Sequence, residues 1–77
     1  MEWLILESLT DEKVTYRYYP EDSKEYGIVS LMRETGERLL DKPHPDAISE
    51  YTRQAWCRLE ECQEAGNFPE KVMVAWY

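Results

Sequence analysis

Asp46-Ala47-Ile48-Ser49-Glu50-Tyr51-Thr52-Arg53-Gln54-Ala55-Trp56-Cys57-Arg58-Leu59-Glu60-Glu61-Cys62-Gln63-Glu64-Ala65-Gly66 is the stretch on which the fold turns. At about 100° per residue, Ile48, Tyr51, Ala55, Leu59 and Cys62 fall within one narrow arc, flanked by Ala47, Thr52 and Trp56. Pro43-His44-Pro45-Asp46 marks the start, because a proline and an early carboxylate both suit a first helical turn. Gly66 is the expected left-handed residue after the last turn, and Phe68-Pro69 forbids continuation. The pattern predicts one amphipathic helix over about 46–65.

On the N-terminal side the period is two. Leu4 and Leu6 alternate with Trp3 and Ile5, and Thr10-Asp11-Glu12 supplies a turn. Val14, Tyr16 and Tyr18 then share one face of a β-branched and aromatic run, which Pro20-Glu21-Asp22-Ser23 breaks. A further run reaches Arg33, and Glu34-Thr35-Gly36 reads as a hairpin turn with Gly36 at positive φ. After the helix, Lys71-Val72-Met73-Val74-Ala75-Trp76-Tyr77 is apolar on both faces. Strands are thus expected over about 2–9, 13–19, 26–33, 37–41 and 71–77, within a single α+β domain spanning 1–77. A helical crossover from the fourth strand makes the fifth parallel to it and so antiparallel to the first. The expected architecture is a β-β-β-β-α-β antiparallel sheet in the order 5-1-2-3-4, with the helix across one face.

Composition narrows the function classes. Nine Lys and Arg against sixteen Asp and Glu give a net charge of −7. That balance argues against a nucleic-acid or anionic-membrane surface. The first residues lack a basic region and break their apolar run at Glu7, so no signal peptide is expected. All three glycines sit in turns or strands, outside any phosphate-cradling motif, and no cofactor is expected.

His44, the only histidine, has Asp41 and Asp46 nearby, so a metal site can be drawn on paper. Zinc wants a fuller ligand set, and a loop or capping histidine is the plainer reading. Cys57 and Cys62 lie five apart on one helix, with Cα atoms roughly 8–9 Å apart and beyond bridging reach. Cys62 joins the apolar stripe, whereas Cys57 is expected to face solvent among Glu50, Glu61 and Glu64. Free thiols fit a reducing cytoplasm.

Ten aromatic rings suggest a stacking platform, but the acids around them favour packing and interface roles. One helix covers one face of the sheet. On the other, Trp3, Ile5, Tyr19 and one set from the last strand, with Trp76 or Tyr77, form a candidate partner surface rimmed by Arg17 and Glu7. Glu60, Glu61 and Glu64 crowd the helix C-terminus against its dipole, which suits either a solvated face or a dock for a basic partner. The sequence therefore reads as a non-enzymatic protein–protein interaction module. Its expected partner is a second copy in a homodimer, or another protein. An acidic decoy of a DNA-binding protein or nuclease is the alternative, and a small enzyme with a carboxylate site the third.

Overall fold

The structure, a computed structural model, describes residues 1–75; Trp76 and Tyr77, both expected at the partner face, lie outside the described residues. Five strands, β1 (Glu2–Leu9), β2 (Lys13–Pro20), β3 (Gly27–Met32), β4 (Arg38–Lys42) and β5 (Lys71–Val74), surround one helix, α1 (Ser49–Ala65), in chain order β-β-β-β-α-β. They form one antiparallel open sheet in the order β4-β3-β2-β1-β5, which is the expected order read from the other edge.

Alternation decides which side of each strand is buried. Leu4, Val14, Tyr16, Tyr18, Val29, Leu31, Val72 and Val74 point under the helix, which contributes Ala55 and Leu59 to the same core. Tyr16 is fully buried there and donates to Pro69 O at 2.5 Å, tying down the segment before β5; burial pushes its phenol up to about 12. Gly27 matters because Tyr18 lies against it: a Cβ at that position would stand 2.3 Å from the Tyr18 ring. Gly36 takes the positive φ its turn requires, at 79°. Gly66, at φ 72°, closes the helix with Gly66 N–H on Gln63 O and Asn67 N–H on Cys62 O.

Two expectations about the helix need correction. It begins at Ser49 rather than near Asp46, and Ile48 is an extended capping residue left 66% exposed. The cause is tertiary. Nδ1 of His44 accepts the backbone N–H groups of Asp46 and Ala47, at 3.0 and 3.1 Å, and bends that segment into a turn. Helical spacing therefore does not reach Ile48. Thr52 takes the inner position instead, with its hydroxyl donating to Tyr18 Oη at 3.1 Å. Cys57 does not stand free among glutamates either. It is half-buried, and its Sγ lies 3.9 Å from Nη2 of Arg38, which β4 brings across the helix.

Candidate functional site

The helix covers one face of the sheet; among the described residues no element covers the other. Pairing register fixes what that open face carries. Trp3 lies opposite Tyr19 and Met73, Ile5 opposite Arg17 and Lys71, and Ile28 opposite Arg17 and Lys42. The expected Trp3, Ile5 and Tyr19 are thus brought together, all half-buried by their neighbours. Of the two sets offered by the last strand, Val72 and Val74 turn inward, and Met73 stands outward at 48% exposure.

Cations overlie the rings of this face. Lys71 Nζ sits 4.5 Å from the Trp3 ring centroid, Lys42 Nζ 4.5 Å from that of Tyr26, and Arg17 Cζ 5.0 Å from the same Tyr26 ring. Tyr26 in turn tilts against Tyr19, with centroids 5.3 Å apart. Arg17 also donates to Tyr19 Oη at 3.4 Å and to Glu7 Oε1 at 3.1 Å, and these bonds hold its guanidinium protonated even more firmly than usual. Tyr26, Lys42 and Lys71 escaped the sequence reading. Lys71 is identifiable from strand parity once β5 is placed beside β1, but which cation meets which ring depends on packing.

Two acids within the open face sit where a strand bulges. Register shifts between Leu6 and Ser8 and again opposite Ile28 and Val29, leaving Glu7 and Asp41 as the extra residues. Glu7 reaches Arg17. Asp41 accepts from Ser30 Oγ at 2.5 Å, and Ser30 accepts in turn from Thr15 Oγ1 at 2.8 Å. Asp41 is therefore turned away from His44, which dissolves the metal site drawn from their spacing. Among the described residues no three of His, Cys, Asp or Glu are grouped to hold a metal ion. Lys13, Arg17, Lys42 and Lys71 place four of the chain's nine bases on this face, beside the acids Glu7 and Asp41. Near its Trp3 end the face dips into a shallow depression of about 310 Å³, between Trp3, Ile5, Tyr19 and Lys71, with Glu21 and Asp22 at the rim.

The helix acids lie on the opposite side of the molecule. Glu60 takes a two-pronged bond from Arg38, at 2.9 and 2.8 Å, which lowers its carboxyl below the usual range. Glu61 pairs with Arg58 at 3.3 Å, and Glu64 is exposed. A cleft of about 570 Å³ opens where the helix starts, between Leu40, Pro43, Trp56, Arg38 and Arg53. Glu50, the one carboxylate lining it, is already bonded to Arg53 and Gln54.

Two polar arrangements were not legible in the sequence. His44 Nε2 lies 2.8 Å from Ser23 Oγ, a spacing that resembles a nucleophile and its base. The hydrogen bonds assign the proton otherwise: Nδ1 accepts two backbone N–H groups, so Nε2 carries the hydrogen and donates it to Ser23. Ser23 spends its own hydrogen on Glu25 O at 3.0 Å. Glu2 is the second case. It is 0% exposed on the helix side of β1, and neither carboxyl oxygen has a hydrogen-bond partner. Burial raises its pKa from 4.5 to about 8, the N-terminal ammonium pulling it down and Glu21 pushing it up.

No family model matches this chain, and neither a curated protein nor a solved structure does.

Proposed function

We propose that this protein is a non-enzymatic interaction module that docks a partner protein through the open face of its sheet. The observation that carries this reading is the uncovered cluster of Trp3, Ile5, Tyr19, Tyr26 and Met73 with a charged rim, the usual anatomy of an interface. The depression beside Trp3 suits an anchoring apolar side chain. The other readings have less support. A decoy of duplex DNA needs an unbroken run of bare carboxylates, whereas Glu50, Glu60 and Glu61 are each bonded to an arginine. An enzyme needs converging acid and base groups in a cleft, and the cleft at the helix start holds one carboxylate already in use. Two unpaired cysteines on the helix favour a reducing compartment such as the cytoplasm.

The test is position-specific photocrosslinking in cells, with the reactive group replacing Ile5 or Met73 on the open face or Glu64 on the helix. Protein adducts from the first two positions and none from the third are expected. Adducts from Glu64 alone, or none anywhere, would overturn the reading.

A further inference from the structure

We infer that the outer edge of β5 pairs antiparallel with the same edge of a second copy of this chain, joining two five-stranded sheets into one continuous sheet. This surface is the rim of the sheet rather than its open face, so the inference goes beyond the interaction-module reading and does not depend on it. Its first ground is where the backbone points. Leu6 N–H donates to Glu70 O at 2.8 Å, and the register then runs from Ile5 opposite Lys71 to Glu2 opposite Val74. Hydrogen-bonded and non-hydrogen-bonded pairs alternate along an antiparallel ladder. Val72 and Val74 therefore bond to β1, whereas Lys71 and Met73 turn their N–H and C=O groups away from it. Among the described residues no strand lies on that side.

The second ground is the contrast between the two edges of the sheet. An open edge invites another strand unless charge, proline or a bulge discourages it. β4 is guarded in this way: Arg38, Asp41 and Lys42 are charged, and its ladder breaks opposite Ile28 and Val29. β5 keeps an unbroken ladder with β1 and carries no charge or proline after Lys71. The third ground selects the occupant. Val72-Met73-Val74 reads the same in both directions, so a two-fold axis at Met73 sets Met73 against itself and Val72 against Val74 of the second copy. Both valines are buried on the helix side, and their cross-strand pairing extends that apolar layer over the junction. Lys71 falls opposite Ala75, so no like charges meet along the junction. Such an axis leaves both helices on one side of the joined sheet and both open faces on the other. The contact is short and each copy carries −7, so the pairing is weak and reversible.

Sedimentation and amide exchange by NMR, from micromolar to millimolar protein, test this together. The mass should rise from one chain toward two. Exchange at the Lys71 and Met73 amides should slow about fivefold once most chains are paired, while the β4 amides stay as they were. In a mixture of labelled and unlabelled protein, an isotope-filtered NOE between the α protons of Val72 and Val74 should report the register. Met73→Pro removes the outward N–H at the axis without touching a bond to β1, a place where edge strands accept proline. It should hold the mass at one chain while the thermal melt persists. If that variant does not fold, Met73→Lys sets like charges opposite each other and should do the same. Ile5→Lys, on the open face, should leave the pairing intact. The inference is overturned by a one-chain mass at every concentration, or by a dimer whose Lys71 and Met73 amides exchange as fast as in dilute solution. A dimer that survives Met73→Pro and Met73→Lys, or that Ile5→Lys abolishes, would overturn it equally. The open-face reading stands or falls separately, on its crosslinks from Ile5.

Discussion

His44 Nε2 donates its hydrogen to Ser23 Oγ across 2.8 Å, so the chain's one histidine is a donor where a hydrolytic dyad requires an acceptor. The ring is a structural bracket between the β2–β3 connection and the approach to the helix. Long-range proton–nitrogen NMR should find the hydrogen on Nε2 and a bare Nδ1. The opposite tautomer would return Ser23 to consideration as a nucleophile. His44→Ala should cost about 1–3 kcal/mol in a denaturant melt, since the partly buried backbone N–H groups of Asp46 and Ala47 lose their acceptor.

Glu2 makes stability depend on pH. Its carboxyl holds a proton in the folded state up to about 8 but releases it near 4.5 when unfolded. Between those values the folded form binds more protons, so stability falls as pH rises through the window. The loss should amount to a few kcal/mol by the upper end. Glu2→Gln should abolish that slope, and Glu2→Leu should stabilise the protein at alkaline pH. Thermal melts of wild type and Glu2→Gln that run parallel between pH 5 and pH 8, roughly the window's limits, would contradict the assignment.

The inner stripe of the helix makes its own prediction. Leu59 is fully buried, and Leu59→Ala should cost about 2–4 kcal/mol through lost contacts and a residual cavity. Ile48→Ala, at a mostly exposed cap, should fall within about 0.5 kcal/mol of wild type. Cys57→Ser should likewise cost little. Chemical denaturation ranks the three, and an Ile48 change as damaging as the Leu59 change would mean the helix starts earlier than described.

How much of this was legible in the sequence depended on the range of the physics involved. Leu4 against Trp3, Val14 against Thr15 and the Tyr51-Ala55-Leu59 spacing are local patterns, and they were enough for the strand order and the helix face. Ile48 was misplaced because the turn that strands it is held by His44, itself fixed by Ser23 from another connection. Glu2 reads as an ordinary polar strand end; only the packing of Val74 and Pro20 on either side reveals a buried acid. On the open face Trp3, Ile5, Tyr19, Arg17 and Glu7 followed from strand parity. Lys42 did not, because the bulge at Asp41 resets the parity of β4.

Gly27 should tolerate no side chain. Alanine there needs its Cβ where the Tyr18 ring lies, and displacing that ring should cost about 1–3 kcal/mol. It should also weaken the bonds that Tyr18 Oη accepts from His44 N–H and Thr52 Oγ1. A melt of Gly27→Ala with wild-type stability would show that the ring has another resting place.

That bare patch of backbone also sets an order of assembly. Tyr18 meets the β4–α1 loop at His44 and the helix at Thr52 from a pose that exists only once β2 and β3 have paired. Pairing across their short connection closes a small loop, whereas docking of the helix closes a long one. The hairpin is therefore expected to form before the rate-limiting barrier and the helix to lock on after it. In stopped-flow kinetics Gly27→Ala should slow folding, while Thr52→Ala and His44→Ala should mainly hasten unfolding. A residue with no side chain thus acts as the timekeeper for one whose ring is among the largest fully buried side chains.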